Sequence, residues 1–315
     1  RSGRPVMFGT FSTRQGEDPY PWQRQLQFID EAAAAGGRMY GQATTRSINA
    51  LFSFKSYLPF DQLPAWREFR DMPMDEQVAR LRDKGLRARL IADEENMRPR
   101  DGVFQGGGAA STDPRKPDYD NLFALLDVRW DDPSIGQLSR EQSKHPVEVM
   151  MDLSLDNGMD QIFVQPLVNE SPDDVLGMLR HPRTLATFSD SGAHVCQEMG
   201  ASLQTHLLSY WVRERQMFTL EEAVRMLTFD NASAWELGDR GLIRKGLAAD
   251  VVIFDEAGVQ PRLPTVESDL PGGARRLVQK ADGIEYTIVN GEIALAQGES
   301  TGRYAGQVLK GAGAQ

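Results

Sequence analysis

The sequence predicts an α/β protein, with parallel strands in its first part and an antiparallel sheet in its last part. Two stretches, residues 4–42 and 160–190, each alternate strand, helix and strand. Strands that return parallel to one another need a helical crossover, so this pattern favours an open doubly wound sheet or a barrel. After residue 249, short β-branched runs follow one another without helices, which is typical of an antiparallel sheet.

The first unit lies near the start of the chain. RPVMFGTF (4–11) predicts a short strand, and QRQLQFIDEAAAAGG (23–37) predicts an amphipathic helix that stops at its glycines. RMYGQ (38–42) predicts the next strand, so the three segments together predict a βαβ unit.

The second unit repeats this order. DQIFVQP (160–166) predicts a strand, SPDDVLGMLRH (171–181) a helix and TLATFSD (184–190) another strand. Ser171 is a favoured N-cap residue and Pro172 suits the first helical position, so we expect the helix to begin there.

A helical and loop insertion is predicted between the two units, at about residues 64–135. Residues 64–95 have apolar side chains in rough helical register, and residues 101–120 are rich in glycine and polar residues. The GGG at 106–108 is not followed by the Gly-Lys-Ser/Thr of a phosphate-binding loop, so we expect a surface loop or an active-site lid.

The last part of the chain begins with helices and ends with strands. Residues 202–216 predict an amphipathic helix, and Thr219 with Glu222 predicts a capping box at the start of the next one. In the final strands, the Asn290-Gly291 pair is typical of a type I′ hairpin turn.

The composition bears on partners and compartment. The chain has 315 residues, 45 of them acidic and 35 basic, and its net charge of −10 repels phosphate backbones and anionic lipid surfaces. We therefore expect neither nucleic acid nor a membrane as a partner. A single cysteine, Cys196, and the lack of a transmembrane or signal segment favour the cytoplasm.

Asp190 is the first candidate for a functional group. It follows the apolar run at 184–188, and catalytic side chains gather where parallel strands end. A strand-end aspartate also caps turns, and Ser-Asp-Ser-Gly is suitable turn chemistry. The residues alone leave both interpretations open.

Several motifs occur together after residue 160. They are SDSGAH (189–194), DRGLIRKGLAADVVIFD (239–255), DLPGGARRLVQKADG (269–283) and the closing TIVNGE hairpin (287–292). In this order and spacing, the sequence resembles the metal-dependent amidohydrolase superfamily. The closer resemblance is to its D-aminoacylase, or N-acyl-D-amino-acid deacylase, branch.

This resemblance implies a distorted (β/α)8 barrel with a small β-sandwich. We therefore expect the C-terminal half of a TIM-like barrel over residues 1–238, holding its fifth to eighth strands, and a β-sandwich subdomain over residues 239–315. The resemblance also implies hydrolysis of a linear amide C–N bond of an N-acyl (D-)amino acid by metal-activated water. The metal would be Zn²⁺, with Asp190 as its ligand and as general base. His194 would lie at the active-site rim, where it would orient Asp190, contact substrate or serve only as a structural hydrogen-bonding group.

Three further polar residues near strand ends are candidates for substrate binding. Gln42 and Arg46 follow residues 38–41 of the predicted strand, and a guanidinium binds a substrate carboxylate through two parallel hydrogen bonds. A surface ion pair is the alternative for Arg46. Asn169 follows the strand at 160–166. The other histidines fall away from strand ends and are interpreted as structural: His145, His181 and His206.

The chain lacks the His-x-His pair that supplies the first metal ligands in amidohydrolases. A catalytic zinc needs about three protein ligands, of which Asp190 would be one. We therefore expect a missing N-terminal segment, or another chain, to complete the barrel and its site. Two alternatives stay open: a cyclic-amide hydrolase of the dihydroorotase or hydantoinase kind, and a non-catalytic remnant or binding protein.

Overall fold

The structure is a computed structural model, and it describes residues 3–12, 21–97, 116–128, 131–193, 195–197 and 200–310. The α-helices are α1 (Trp22–Ala34), α2 (Pro64–Arg70), α3 (Met74–Arg80), α4 (Lys84–Glu95), α5 (Ile135–Gln142), α6 (Pro146–Asp156), α7 (Pro172–Leu179), α8 (Leu203–His206), α9 (Leu220–Leu227) and α10 (Phe229–Ala234). A π-helix, Leu207–Glu214, continues α8, and 3₁₀ turns lie at Tyr119–Asn121 and Pro271–Gly273.

The strands are β1 (Val6–Gly9), β2 (Met39–Ala43), β3 (Ile48–Phe52), β4 (Phe123–Leu125), β5 (Ile162–Val168), β6 (Thr184–Ala186), β7 (Val251–Phe254), β8 (Gln260–Pro261), β9 (Thr265–Leu270), β10 (Ala274–Val278), β11 (Ala281–Asp282), β12 (Ile284–Val289), β13 (Glu292–Ala296) and β14 (Glu299–Ser300).

The first βαβ unit forms as predicted, and its strands belong to a parallel sheet ordered β1, β2, β6. Within this sheet Ala43 pairs with Ala186. The helix α1 packs on β2 through the buried Ile29. A Cβ at Gly41 would lie 2.6 Å from Thr10 Cγ2 and 3.1 Å from Ile29 Cδ1, so the absence of a side chain allows this close approach of helix and strand.

The strand β5 corrects one prediction. It does not join the parallel sheet but lies at the centre of an antiparallel sheet ordered β3, β5, β4. Its partners are short apolar segments, INALF and FAL, without the alternation or the turn residues that mark a strand in a sequence. Because both edges of β5 are filled in this way, β2 pairs directly with β6.

The insertion is helical over residues 64–95 as predicted, and it forms three helices. Pro73 precedes α3, and the Asp83 side chain caps α4 by accepting a hydrogen bond from the Leu86 amide at 2.7 Å. Residues 98–115, which contain the glycine-rich segment, lie outside the described residues.

The helices α7 and α9 begin at the residues that their capping side chains predict. Ser171 Oγ accepts a hydrogen bond from the Asp174 amide at 3.2 Å, and both bonds of the Thr219–Glu222 capping box are present. The helix predicted at 202–216 begins as α8 and continues as the π-helix. We find no helix in the described ranges with the length and hydropathy of a membrane span.

The chain ends in antiparallel strands, as predicted. β14, β13, β12 and β7 form one sheet in that order, and β9–β10 and β8–β11 form two further pairs. Asn290 and Gly291 have φ angles of 49° and 84°, which confirms the predicted hairpin turn. Leu277 of β10 packs against Leu51 and Val164 of the antiparallel sheet, so the last strands contribute to the same core. A domain boundary between residues 238 and 239 stays a prediction.

We expect Trp66→Ala to lower the free energy of unfolding by about 3–5 kcal/mol, because it leaves a large cavity in the core of the helical insertion. The indole is fully buried, contacts the rings of Phe54, Phe60 and Phe69, and donates its Nε1–H to a backbone carbonyl at 3.0 Å. Urea denaturation measures the change. Tyr304→Ala is the control: its side chain is 92% exposed, and we expect a change within about 0.5 kcal/mol.

Candidate functional site

A cavity of about 250 Å³ lies over one face of the antiparallel sheet. Phe123 and Leu125 of β4, with Val164 and Pro166 of β5, form an apolar floor, because alternate residues of a strand share a face. Charged and polar side chains border this floor: Arg46, Asn49, Asn121, Asp132, Glu170 and His206. The cavity therefore combines an apolar surface with groups of both charges.

Arg46 lies in the turn between β2 and β3, and hydrogen bonds from later parts of the chain hold that turn in place. Thr45 Oγ1 donates to the Leu203 carbonyl at 2.9 Å, and Trp211 Nε1–H donates to the Thr45 carbonyl at 2.7 Å. The Arg46 guanidinium donates to Ser202 Oγ at 3.0 Å. The turn is thus fixed against α8 and the π-helix, and the half-buried guanidinium lines the cavity.

Asn169 supports the same turn from the end of β5. It is fully buried, its Oδ1 accepts the Ser12 amide at 2.7 Å, and its Nδ2 donates to Thr44 Oγ1 at 2.9 Å. Its φ of 59° lies in the left-handed region, which asparagine adopts more readily than most residues. Both ends of the amide are occupied by protein partners. Asn169 thus joins the ends of β1, β2 and β5, and its contact with substrate stays a prediction.

His206 lines the cavity with Arg46, although its sequence position suggested only a structural role. The ring is buried and stacks on Tyr210 with 4.9 Å between ring centroids. Burial holds the pKa of His206 well below its usual range, and the positive charge of Arg46 lowers it further. The imidazole is therefore neutral at neutral pH. No sequence signal marked this residue, because its environment is created by the packing of α8 against the Arg46 turn.

Asp132 borders the cavity from the segment that follows β4. Its Oδ1 accepts the backbone amides of Leu126 and Asp127 at 3.0 and 3.1 Å. Burial raises the pKa of Asp132 to about 6, opposed by these two amide bonds and assisted by the negative charges of Asp127 and Asp131. No sequence motif marks Asp132, which lies in the insertion at residues 64–135.

Asp190 and Gln42 lie at neighbouring strand ends, outside the lining of the cavity. Asp190 occupies an exposed turn after β6 with a φ of 53°. Gln42 is half-buried in β2 and donates its Nε2–H to Thr187 Oγ1 at 3.1 Å. His194 lies outside the described residues, so its predicted role stays a prediction.

A zinc site does not form from the residues that the structure describes. Within them, no group of three or more His, Cys, Asp or Glu side chains is arranged so that it could hold a metal ion. Asp190 supplies one carboxylate, whereas a catalytic zinc takes about three protein ligands. The expected Zn²⁺ site therefore does not fit the described part of the chain.

Comparison with known proteins finds a matching family model and several similar proteins. A model of the amidohydrolase family matches residues 4–295. An uncharacterized protein of Mycobacterium tuberculosis is 26% identical over 280 residues, which cover 82% of this chain and 45% of that protein. N-acyl-D-aspartate deacylase of Alcaligenes xylosoxydans xylosoxydans is 32% identical over 153 residues, 48% of this chain and 26% of that enzyme. The aligned part spans less than half the length of these relatives.

Solved structures align over nearly the whole chain at low identity. D-aminoacylase aligns with a TM-score of 0.49 and 17% identity, covering 97% of this chain and 50% of that one. N-acyl-D-glutamate deacylase of Bordetella bronchiseptica, complexed with zinc and a phosphonate inhibitor, aligns with a TM-score of 0.48 and 16% identity, covering 98% and 50%.

The raised pKa of Asp132 predicts a stability that depends on pH. The pKa of the Asp132 carboxyl is about 6 in the folded chain, against an ordinary value of 3.8. The protonated carboxyl therefore stabilises the fold fully below pH 3.8, and this stabilisation is lost as the pH rises to about 6. Asp132→Asn removes the titration but keeps an oxygen acceptor for the two amides. We expect the free energy of unfolding of the variant, relative to that of the wild type, to increase as the pH rises from about 4 to about 7. Above about pH 7 we expect the difference between the two proteins to stay constant.

Urea unfolding of both proteins across this pH range measures the difference in stability. A difference that stays constant with pH would contradict the burial-raised pKa.

Proposed function

The chain belongs to the amidohydrolase family, and from this premise we propose that it hydrolyses the linear amide C–N bond of an N-acyl (D-)amino acid. The observation that carries the proposal is the pairing of Ala43 in β2 with Ala186 in β6. Arg46 and Asp190 follow these residues within one turn each, so both emerge at the same edge of adjacent parallel strands. Catalytic and binding groups of α/β sheets gather at that edge.

Asp190 is the proposed general base. Its exposed turn is accessible to water and substrate. In the proposed reaction it accepts a proton from a water molecule, whose oxygen bonds to the amide carbonyl carbon. The C–N bond then breaks, the proton passes to the leaving nitrogen, and a carboxylic acid and an amino acid result. Asp190 would be one ligand of a divalent metal ion only if a further segment or another chain supplied the remaining ligands; such an ion would lower the pKa of a water bound to it.

Arg46 is the proposed partner of the substrate carboxylate. Its planar guanidinium matches the two carboxylate oxygens, and a hydrogen bond to Ser202 Oγ holds it at the border of the cavity. His206 beside it is neutral, so it adds no competing charge. Gln42, on the strand that leads to Arg46, stays a proposed contact of the substrate amide.

We also propose that another segment or another chain pairs with β1 and completes a TIM-like barrel. Among the described strands, β1 pairs with β2 alone. The amides of Val6 and Thr10 donate to carbonyls on the β2 side, so the alternate amides of Met7 and Gly9 face the other edge. Hydrogen exchange tests this: protection of these two amides supports the proposal, and exchange at the rate of open backbone contradicts it.

The two proposed roles predict different kinetic effects. We expect Asp190→Asn to lower kcat by about 10²–10⁴-fold with little change in KM, because the base is lost. Arg46→Ala should mainly raise KM, because a charged contact to the bound substrate is lost in the ground state and the transition state alike. Release of free amine from a panel of N-acyl-D-amino acids and their L enantiomers measures both. Asp156→Asn, an exposed aspartate at the end of α6, is the matched control and should leave the kinetics unchanged.

The same assay tests the alternatives. Preferred cleavage of cyclic amides over linear ones would favour a hydantoinase-like or dihydroorotase-like enzyme. A folded protein that cleaves no amide at all, with or without added zinc, would contradict the proposal and favour a binding role.

A further inference from the structure

The turn at residues 195–197 lies between the antiparallel sheet and the last strands of the chain. On one side, the Leu51 amide of β3 donates to the Gln197 carbonyl at 2.7 Å. On the other side, the Leu277 amide of β10 donates to the Val195 carbonyl at 2.8 Å. The position of this turn therefore depends on how β3 and β10 are held relative to each other.

Arg275 of β10 contacts both the turn and the segment that follows β3. Its backbone carbonyl accepts a hydrogen bond from the Cys196 thiol at 2.6 Å. Its guanidinium Nη1 donates to the Lys55 carbonyl at 2.8 Å and to the Ser56 carbonyl at 3.2 Å. Because one residue makes all three bonds, Arg275 joins β10, the turn and the segment after β3.

The neighbouring Arg276 has a different partner. Its Nε and Nη2 donate to the two carboxylate oxygens of Asp269 on β9, each at 2.7 Å. This pair joins β10 to β9. The two adjacent arginines of the DLPGGARRLVQKADG motif thus bond to different parts of the fold, and Arg276 provides a matched control for Arg275.

The proposed base lies in the same loop as the turn at 195–197. Asp190 precedes Val195 by five residues, and its carbonyl accepts the Ala193 amide at 3.1 Å. Beyond the turn, the buried Gly200 packs on the start of this loop: a Cβ at Gly200 would lie 1.6 Å from the Ser189 carbonyl oxygen. Contacts on both sides of Asp190 therefore restrict where its carboxylate can lie.

We infer that Arg275 is a positioning residue for Asp190. Its bonds to the segment after β3 hold β10 in place, β10 holds the turn at 195–197, and this turn holds the loop that carries Asp190. The inference rests on the proposed function, because it assigns Arg275 an effect on the rate through the general base. A displacement of about 1 Å in a reacting group can lower a rate about 10²-fold.

Hydrogen exchange tests the connection between Arg275 and the loop without any substrate. The Leu277 amide reports the bond between β10 and the turn, and the Ala193 amide reports the Asp190 loop. We expect Arg275→Ala to raise both exchange rates at least about threefold, because local opening becomes more frequent. The side chain of Arg275 is exposed, so we expect the variant to fold. Arg276→Ala should change neither rate by more than about twofold.

A double-mutant cycle tests the connection to catalysis. We expect Arg275→Ala to lower kcat at least about fivefold and to change KM by less than about twofold. In a protein that already carries Asp190→Asn, the same substitution should lower the residual kcat by less than about twofold, because the positioned group is gone. A role in stability alone would lower kcat by the same factor with and without the Asp190 carboxylate. Arg276→Ala should leave the kinetics unchanged.

Unchanged exchange at Ala193 in Arg275→Ala overturns the inference, and so does an equal loss of kcat in the two arms of the cycle. The exchange experiment separates this result from the proposed function. Faster exchange at Ala193 in a protein that cleaves no amide would support the connection between Arg275 and the loop and contradict the hydrolase. Amide cleavage that depends on Asp190 but not on Arg275 would support the hydrolase and overturn the inference.

Discussion

The hydrogen bonds at Thr44 and Thr45 determine how the main parts of the molecule meet. Thr44 accepts a bond from the buried Asn169, and Thr45 bonds to Leu203 and Trp211. This short turn ends a parallel strand and leads into an antiparallel one, so it joins two sheets of different kind. Its partners are buried and leave little room for movement, since an unpaired polar group there would cost about 1–3 kcal/mol. The position of Arg46 follows from this constraint.

The antiparallel sheet that begins after this turn has two unlike faces. Phe52, Phe163 and Ala124 belong to the core of the helical insertion, whereas Val164 and Leu125, one residue further along their strands, border the cavity. A shift of register by one residue would exchange these two sets of side chains. The same alternation that buries the aromatic core therefore keeps an apolar floor available beside charged groups. The pairing of β5 with β3 and β4 therefore produces both the packed core of the insertion and the apolar floor of the cavity.

The sequence predicts those features that depend on residues a few positions apart. The β1–α1–β2 unit, the Ser171 cap and the Asn290-Gly291 turn are of this kind, because helical period, capping and turn conformation are local properties. The pairing of β4 with β5 depends on residues about 40 positions apart, and a three-residue strand has no period to detect. Arg46 was recognised because it follows a strand. Asp132 and His206 were not, because burial and neighbouring charges that only the folded chain creates give them their properties.

The π-helix at Leu207–Glu214 has a consequence for tolerance to insertions and deletions. Its bonds reach five residues back, as from the Arg215 amide to the Tyr210 carbonyl, so it holds one residue more than an α-helical turn would use. Removing one residue would let the stretch return to α-helical bonding with His206 and Trp211 still on one face. α-Helical bonding of the unchanged residues would instead place these two side chains, five positions apart, about 140° from each other around the axis. Either Trp211 or His206 would then lose its place beside the Arg46 turn. The five-residue bonding here, more than the identity of its exposed side chains, decides whether His206 and Trp211 both contact the Arg46 turn.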